Sequence, residues 1–204
     1  RAELGSQYVD VGIAEGHAVA MASGLARGGA RPVFGTYSTF FQRTYDQMAQ
    51  DVAVNHNPAV FLSVGASMYY MNDVTHLGFF DIPLFANIPN LVFLAPASLD
   101  EYAAVLRWSV EQTAHPVMIR MPVMGYEESP YAVRTDYSAL NKYQMVTEDS
   151  GVALIGAGNF AQLASAAAAE LEKEGIKATV INPIFLSGLD TALLDALKEK
   201  HSLI

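Results

Sequence analysis

The feature that most constrains this chain is the regular alternation of strand-length apolar runs with helical patterns. Parallel strands need a helix-sized crossover, so such alternation predicts βαβ units. We predict strands at 8–11, 32–37, 58–64, 91–94, 116–120, 152–155 and 178–181, and helices at 14–25, 39–54, 98–112, 160–174 and 190–200. The predicted fold is α/β: a doubly wound parallel sheet with helices on both faces, plus part of a second α/β domain.

The same pattern divides the chain into three parts. Residues 1–124 form the first domain, and residues 125–150 lapse into Pro, Gly, Tyr and charge, which indicates an interdomain linker. Residues 151–204 begin a second domain with too few strands to stand alone. We therefore expect a truncated second domain.

Composition narrows the class of protein. Half of the 204 residues are apolar and 16% are charged, which favours a buried core over disorder. A net charge of −9 without a basic stripe argues against nucleic acid as a partner. No cysteine is present, which excludes disulfides, thiolate metal sites and a cysteine nucleophile. Apolar runs are too short to span a bilayer, and no signal-like amino terminus is visible, so we predict a cytoplasmic protein that contacts no membrane.

The strand at 152–155 runs into Gly156-Ala-Gly158-Asn-Phe-Ala, a pattern that can bind dinucleotide phosphates at a helix start. Such sites place an acid at the end of the next strand. Here that strand ends Val-Ile-Asn-Pro at 180–183, so a tight strand-to-helix turn is the favoured interpretation. Ser98 and Glu101 form a capping box ahead of another predicted helix.

Glu15 begins a helix built almost entirely of small and apolar residues. An acid in a first turn is favoured by the helix dipole, which is the simpler interpretation. A helix that is apolar all round is buried, however, so this carboxylate is expected near the core and in need of a partner. His17 faces another side of the helix, where it packs in the core or against another chain.

Two further groups could carry chemistry. Phe40-Phe41 lies beside Tyr37 and Tyr45, a cluster typical of a core, although an aromatic side chain at a helix start can also stack on a heterocycle. The segment from Met71 to Gly78 is rich in polar groups suited to proton transfer or substrate binding. Its Asp73 and His76 are two candidate metal ligands without a third, and we predict no metal held by this chain.

Three stretches together resemble transketolases: 10–19 (DVGIAEGHAV), 37–47 (YSTFFQRTYDQ) and 73–78 (DVTHLG). They occur in the order and at the spacing of that family's pyrimidine-binding domain, across residues 1 to about 125. The middle stretch is most similar to 1-deoxy-D-xylulose-5-phosphate synthase. The part from residue 152 resembles the start of the family's carboxy-terminal domain. The resemblance also implies that the amino-terminal part of the first domain is missing.

The resemblance implies thiamine diphosphate as cofactor and a role for each matching residue. Glu15 would hydrogen-bond the pyrimidine ring and so activate the cofactor. Phe40 would stack on that ring, with Tyr37 and Arg43 bordering it. His76 would contact the substrate as hydrogen-bond donor or proton carrier.

Four positions concern the substrate pocket of the synthase. In an ungapped alignment the synthase has arginine where this chain has Gly65 and Val123, and aspartate where this chain has Asn72. At Arg120 both sequences have arginine. We expect Asn72 and Arg120 to contact substrate. Lost arginines weaken a phosphate clamp, so the phosphosugar substrate of the synthase is not implied.

The family holds the diphosphate and its Mg²⁺ on another domain with a Gly-Asp-Gly motif, which this sequence lacks. The resemblance therefore implies a partner domain or subunit within a homodimer or heterotetramer, and a fragment inactive alone. The implied reaction transfers a two-carbon unit from a keto donor to an aldehyde acceptor. Alternatives are the deoxyxylulose-phosphate synthase reaction, a 2-oxo acid dehydrogenase beta-type subunit, and a non-catalytic assembly subunit.

Overall fold

Two four-stranded sheets organise the computed structural model, which describes residues 3–66, 75–76 and 78–204. The first sheet contains β1 (Val33–Tyr37), β2 (Val60–Ala66), β3 (Val92–Leu94) and β4 (Val117–Pro122). All its pairings are parallel, in the order β1-β2-β4-β3. The carboxyl ends of these strands consequently share one edge, the usual place for ligands in an open parallel sheet.

Alternating side chains along these strands build two cores, one on each face of the first sheet. Phe61, Phe93 and Met118 pack on one face with α1 (Glu15–Arg27) and the helical segment after β1. Their sequence neighbours Val60, Val92 and Val117 pack on the other face with α4 (Leu99–Glu111). This period of two confirms the doubly wound arrangement predicted from sequence.

The connection from β1 to β2 contains three kinds of helix. It comprises α2 (Ser38–Phe41), a 3₁₀ turn (Gln42–Thr44) and a π-helix (Gln47–Ala53). The single α-helix predicted from 39 to 54 is therefore wrong in detail. Within the 3₁₀ turn the Thr44 hydroxyl donates to the Phe41 carbonyl at 2.8 Å, a local bond that competes with the α-helical ladder.

The first predicted strand, 8–11, is also wrong. Residues 8–12 are irregular, and within the described ranges no strand pairs with them. Asp10 Oδ1 accepts from the backbone amide of Gly12 at 3.0 Å, and Gly12 has φ +68°. That side-chain turn bends the chain out of the extended conformation just before α1.

The second sheet contains β5 (Gln144–Thr147), β6 (Gly151–Ile155), β7 (Ala178–Asn182) and β8 (His201–Leu203), in the order β5-β7-β6-β8. Its helices are α5 (Phe160–Lys173) and α6 (Thr191–Lys200). Strand β5 is antiparallel to β7 and lies within the predicted linker 125–150. The short run of four residues with a Gln at its start gave no clear strand signal.

The chain after β7 crosses the edge of the first sheet. Phe185 forms an antiparallel bridge with Leu94, and the amides of Ala95 and Leu186 donate to the carbonyls of Ile184 and Phe93, both at 2.7 Å. Ile184 and Phe185 are buried in the core that contains α4. The second sheet is thereby joined to the first through hydrogen bonds and a shared core.

A buried polar group reinforces that junction. Glu101 in the first turn of α4 accepts from the amide of Ala97 at 2.6 Å and from Asn182 Nδ2 at 3.1 Å. Ser98 Oγ accepts from the amide of Glu101 at 3.2 Å, as the predicted capping box requires. The other half of the box differs, because the Glu101 carboxylate reaches the residue before the cap and also the end of β7.

The glycine turn after β6 serves packing. A Cβ on Gly156 would lie well within contact distance of the Phe160 backbone, and Gly158 has φ +60°. Gln162 at the start of α5 donates to the Ala97 carbonyl at 3.1 Å, so this turn abuts the first sheet's domain. The geometry fits a tight strand-to-helix turn.

None of the helices in the described ranges is long and apolar enough to cross a bilayer.

Candidate active site

The predicted site residues gather where β1 and β2 end and α1 begins. Glu15 is the first residue of α1, Tyr37 the last of β1, and Phe40 lies in α2 directly after it. His76 follows β2 along the chain. The parallel sheet therefore brings together residues that are up to 61 positions apart in sequence.

Glu15 is a buried carboxylate with a weak partner. The residue is 8% exposed, yet its side chain makes one polar contact within the described ranges, with Arg43 Nη1 at 3.4 Å. The side chain of Arg43 is 65% exposed, so water screens this ion pair. Glu15 also lines a cavity of about 360 Å³ together with residues 7–12 and 33–36. A carboxylate in this setting has unused capacity to accept hydrogen bonds.

Three rings form a cluster beside Glu15's helix. Tyr37, Phe40 and His76 meet edge to face, with ring centroids 5.2 to 6.0 Å apart. Edge-to-face contacts of this length are favourable and orient each ring. Tyr37 remains half exposed, so the cluster borders solvent rather than the core. The cluster thus offers aromatic surface and an imidazole within one small region.

His76 is oriented by two threonines. Thr39 Oγ1 donates to the Thr75 carbonyl at 3.3 Å, which attaches the His76 segment to α2. Thr75 Oγ1 lies 2.8 Å from His76 Nδ1. Thr75 belongs to one of the three matching stretches, but the sequence predicted no role for it. Its position directly before His76 was the signal that could have indicated this contact.

Arg120 is held in a buried ion pair. Its Nε donates to Asp81 Oδ2 at 2.7 Å, and its Nη2 lies 3.5 Å from Oδ1 and 3.4 Å from the Gly78 carbonyl. Asp81 is fully buried and begins α3 (Asp81–Phe85). Burial raises the pKa of Asp81, and the Arg120 charge opposes that effect. The Arg120 guanidinium is thus already paired with Asp81. Its predicted contact with substrate stays a prediction.

Sequence reasoning missed Asp81. An aspartate at the start of a short helix is common and predicts no particular role. The role of Asp81 as the ion-pair partner of Arg120 follows from their contact in space, since the two residues are 39 positions apart in sequence. Asn72 and Asp73, the former predicted to contact substrate, lie outside the described residues. In the described part of the chain no three metal-ligating side chains converge.

Gly65 and Val123 border the ring cluster. Gly65 has φ +72° in the bulge where β2 shifts register against β4. A Cβ placed there would lie 3.0 Å from Tyr37 Cδ1 and 3.8 Å from Val123 Cγ2. Any other residue would be strained in this conformation and would push against the tyrosine ring. Val123 and Met124 follow β4 with about half of their surface exposed.

A parallel sheet that places a buried carboxylate, aromatic rings and a histidine at its carboxyl edge defines an α/β protein with an enzyme-like ligand site. Family models make the class specific. The transketolase pyrimidine-binding domain matches residues 3–128, and the transketolase C-terminal domain matches residues 141–204. The chain belongs to the transketolase family.

Two curated relatives illustrate the level of similarity. The 1-deoxy-D-xylulose-5-phosphate synthase of Trichormus variabilis is 38% identical over 201 residues, which cover 98% of this chain and 32% of that protein. The synthase of Clostridium acetobutylicum is 36% identical over 189 residues, covering 93% and 30%. The chain thus spans about a third of the length of these relatives.

Solved structures share the fold at lower identity. A protein described as a split gene transketolase in an inactive beta4 tetramer matches with a TM-score of 0.83 and 22% identity, over 99% of this chain and 65% of that one. The transketolase of Campylobacter jejuni matches with a TM-score of 0.77 and 20% identity, over 91% and 30%. These similarities establish the arrangement of both sheets as a transketolase arrangement.

Proposed function

We propose that this chain is the pyrimidine-binding part of a thiamine-diphosphate-dependent transferase and that Glu15 activates the cofactor. The observation that carries the proposal is the weakly paired, buried carboxylate of Glu15. Burying a carboxylate is costly unless donors satisfy it, and its 3.4 Å contact with an exposed arginine does so poorly. A protonated ring nitrogen or a ring amine would supply the missing donor.

The residues around Glu15 fit an aminopyrimidine. Phe40 in α2 and Tyr37 at the end of β1 present aromatic surface of the kind that stacks on a flat heterocycle. Arg43, whose side chain is largely exposed, contacts the Glu15 carboxylate from the solvent side. In this arrangement Glu15 accepts a hydrogen bond from the ring, Phe40 covers one ring face and Tyr37 closes the edge.

When bound, thiamine diphosphate supplies a carbon nucleophile at its thiazolium ring. His76, whose ring centroid lies 5.2 Å from that of Phe40, would donate to a substrate oxygen or carry its proton. Thr75 fixes the orientation of His76 through Nδ1. We assign the diphosphate and Mg²⁺ to a partner domain or subunit, because the Gly-Asp-Gly motif that holds them in the family does not occur in this sequence.

The reaction that we favour transfers a two-carbon unit from a keto donor to an aldehyde acceptor. A second candidate is the deoxyxylulose-phosphate synthase reaction, which joins pyruvate to glyceraldehyde 3-phosphate. The names of the curated relatives favour this second candidate. The first is favoured by Gly65 and Val123 at the border of the ring cluster, where neither side chain can bind phosphate through a charge.

The central test replaces Glu15 by Gln in the enzyme that contains this chain and its diphosphate-binding domain. General acid–base groups typically contribute about 10²–10⁴-fold, so turnover should fall at least about a hundredfold. Thermal unfolding should stay close to that of the unsubstituted protein. The matched control is Glu170→Gln on the exposed face of α5, which should leave turnover intact. Turnover that survives in the Glu15→Gln enzyme would remove the central assignment.

A second test concerns the partner. The diphosphate should contribute most of the cofactor affinity, so calorimetric titration of the 204-residue chain alone with thiamine diphosphate and Mg²⁺ should show weak binding. Adding the diphosphate-binding domain should restore tight binding. Tight binding to the chain alone would contradict the assigned division of labour.

A further inference from the structure

The region around the ring cluster is poor in positive charge. Residues 44–106 contain neither Lys nor Arg. This interval includes β2, the segment after it with His76, α3 and β3. Strand β2, whose carboxyl end lies at the site, and the segment that carries the imidazole therefore bring no Lys or Arg to it.

Among the described residues, two arginines at the site already contact carboxylates. Arg43 is paired with Glu15 at 3.4 Å, and Arg120 contacts both oxygens of the buried Asp81. Each arginine is thus balanced by one acid. Withdrawing Arg120 toward a ligand would leave Asp81 buried and unpaired, which is strongly unfavourable.

Gly65 and Val123, which border the ring cluster, carry no charge. At Gly65 the left-handed backbone would strain any side chain, and a Cβ would lie 3.0 Å from the Tyr37 ring. Val123 Cγ2 would lie 3.8 Å from a Cβ on Gly65, and Val123 and Met124, which follow β4, are both about half exposed. A phosphate dianion placed here would give up its hydration without gaining charge-assisted hydrogen bonds.

We infer that the acceptor handled at this site is an aldehyde without a phosphate group, held at its tail by the surface of Gly65, Val123 and Met124. The inference rests on the proposed function and goes beyond it, since it names the substrate class. It also separates the two candidate reactions, because glyceraldehyde 3-phosphate is a phosphorylated acceptor.

The test uses the enzyme that contains this chain and its diphosphate-binding domain. Rates are measured with D-glyceraldehyde and with glyceraldehyde 3-phosphate as acceptors, using hydroxypyruvate and pyruvate in turn as donors. The expected ratio of kcat/KM, phosphorylated over unphosphorylated, is below one. Val123→Arg places a cation beside Gly65 and should raise that ratio about tenfold or more, as one charge-assisted bond to phosphate would. Val123→Gln is the uncharged control of similar length and should change it little.

The outcomes separate the two levels of argument. A wild-type ratio well above one, unaffected by Val123→Arg, overturns the substrate class while leaving the proposed function standing. No turnover with any pair counts against the proposed function instead. In that case calorimetric titration with inorganic phosphate and glycerol 3-phosphate decides the substrate class. Saturable binding to the wild type would overturn it, whereas binding gained only in Val123→Arg would support it.

Discussion

Replacing Arg120 by Met tests the buried ion pair most directly. The methionine fills similar space but removes the positive charge that pairs with Asp81, a fully buried residue. Breaking a buried pair in this way costs about 3–5 kcal/mol in the free energy of unfolding. For a protein of this size, each kcal/mol lowers Tm by roughly 2–4 °C, so Tm should fall by about 6–20 °C.

The loss should depend on pH in a defined direction. Burial already raises the pKa of Asp81 above its ordinary value of 3.8, and removing the Arg120 charge raises it further. A carboxyl whose pKa is higher in the folded state stabilises the protein below the unfolded value and loses that contribution as pH rises through the folded value. The free energy of unfolding of the variant should therefore approach that of the wild type near pH 4 and fall increasingly below it toward neutral pH.

Urea unfolding followed by circular dichroism at several pH values measures this loss. Lys173→Met is the matched control, because it breaks an exposed pair with Glu170 and should cost at most about 1 kcal/mol. Combining Asp81→Asn with Arg120→Met should recover part of the loss, since no charge is left buried. If Arg120→Met destabilises no more than Lys173→Met, or shows no pH dependence, the reasoning is refuted.

Three smaller predictions follow from other contacts. Glu101→Gln should gain stability relative to wild type as pH rises, because burial raises the pKa of Glu101 and its stabilising contribution is lost above that value; unfolding midpoints from pH 4 to 8 measure this. Ser98→Ala should lower the free energy of unfolding by about 1 kcal/mol through loss of the α4 cap. Phe40→Ala should weaken cofactor affinity of the complete enzyme about 2- to 10-fold by loss of stacking, measured by titration calorimetry.

Each of these has a control and a contrary result. Glu170→Gln should leave the pH profile unchanged, and a flat difference between Glu101→Gln and wild type would contradict the first prediction. Ser202→Ala, on an exposed hydroxyl, should cost less than Ser98→Ala. Leu163→Ala, exposed on α5, should leave cofactor affinity unchanged, and an unchanged affinity in Phe40→Ala would count against the stacking role.

Much of the fold was readable from sequence because strand and helix periods are local signals. The two-residue alternation at Val60-Phe61 and Val92-Phe93 directly reflects the two cores. The contacts that join distant segments were not readable. The Asp81–Arg120 pair and the crossing of Phe185 over β3 depend on which strand ends become neighbours, and no local period encodes that.

The sequence names candidate site residues, but it gives their geometry only in part. Motif order singles out Glu15, Phe40 and His76, whose roles stay predictions; the structure brings Phe40 and His76 into contact and places Glu15 at the start of α1. The weak pairing of Glu15 with Arg43 is a matter of distance and exposure, which sequence does not contain.

The crossing of residues 184–186 over β3 has a consequence for where the polypeptide can be divided. Although the two family models meet between residues 128 and 141, cutting there would strip β3 of its cover and leave Val92–Leu94 as an open, apolar edge. Such an edge is a template on which another copy can add a strand. The crossing segment thus protects the β3 edge from strand addition, and we expect the first part of a chain divided there to self-associate when it is produced alone.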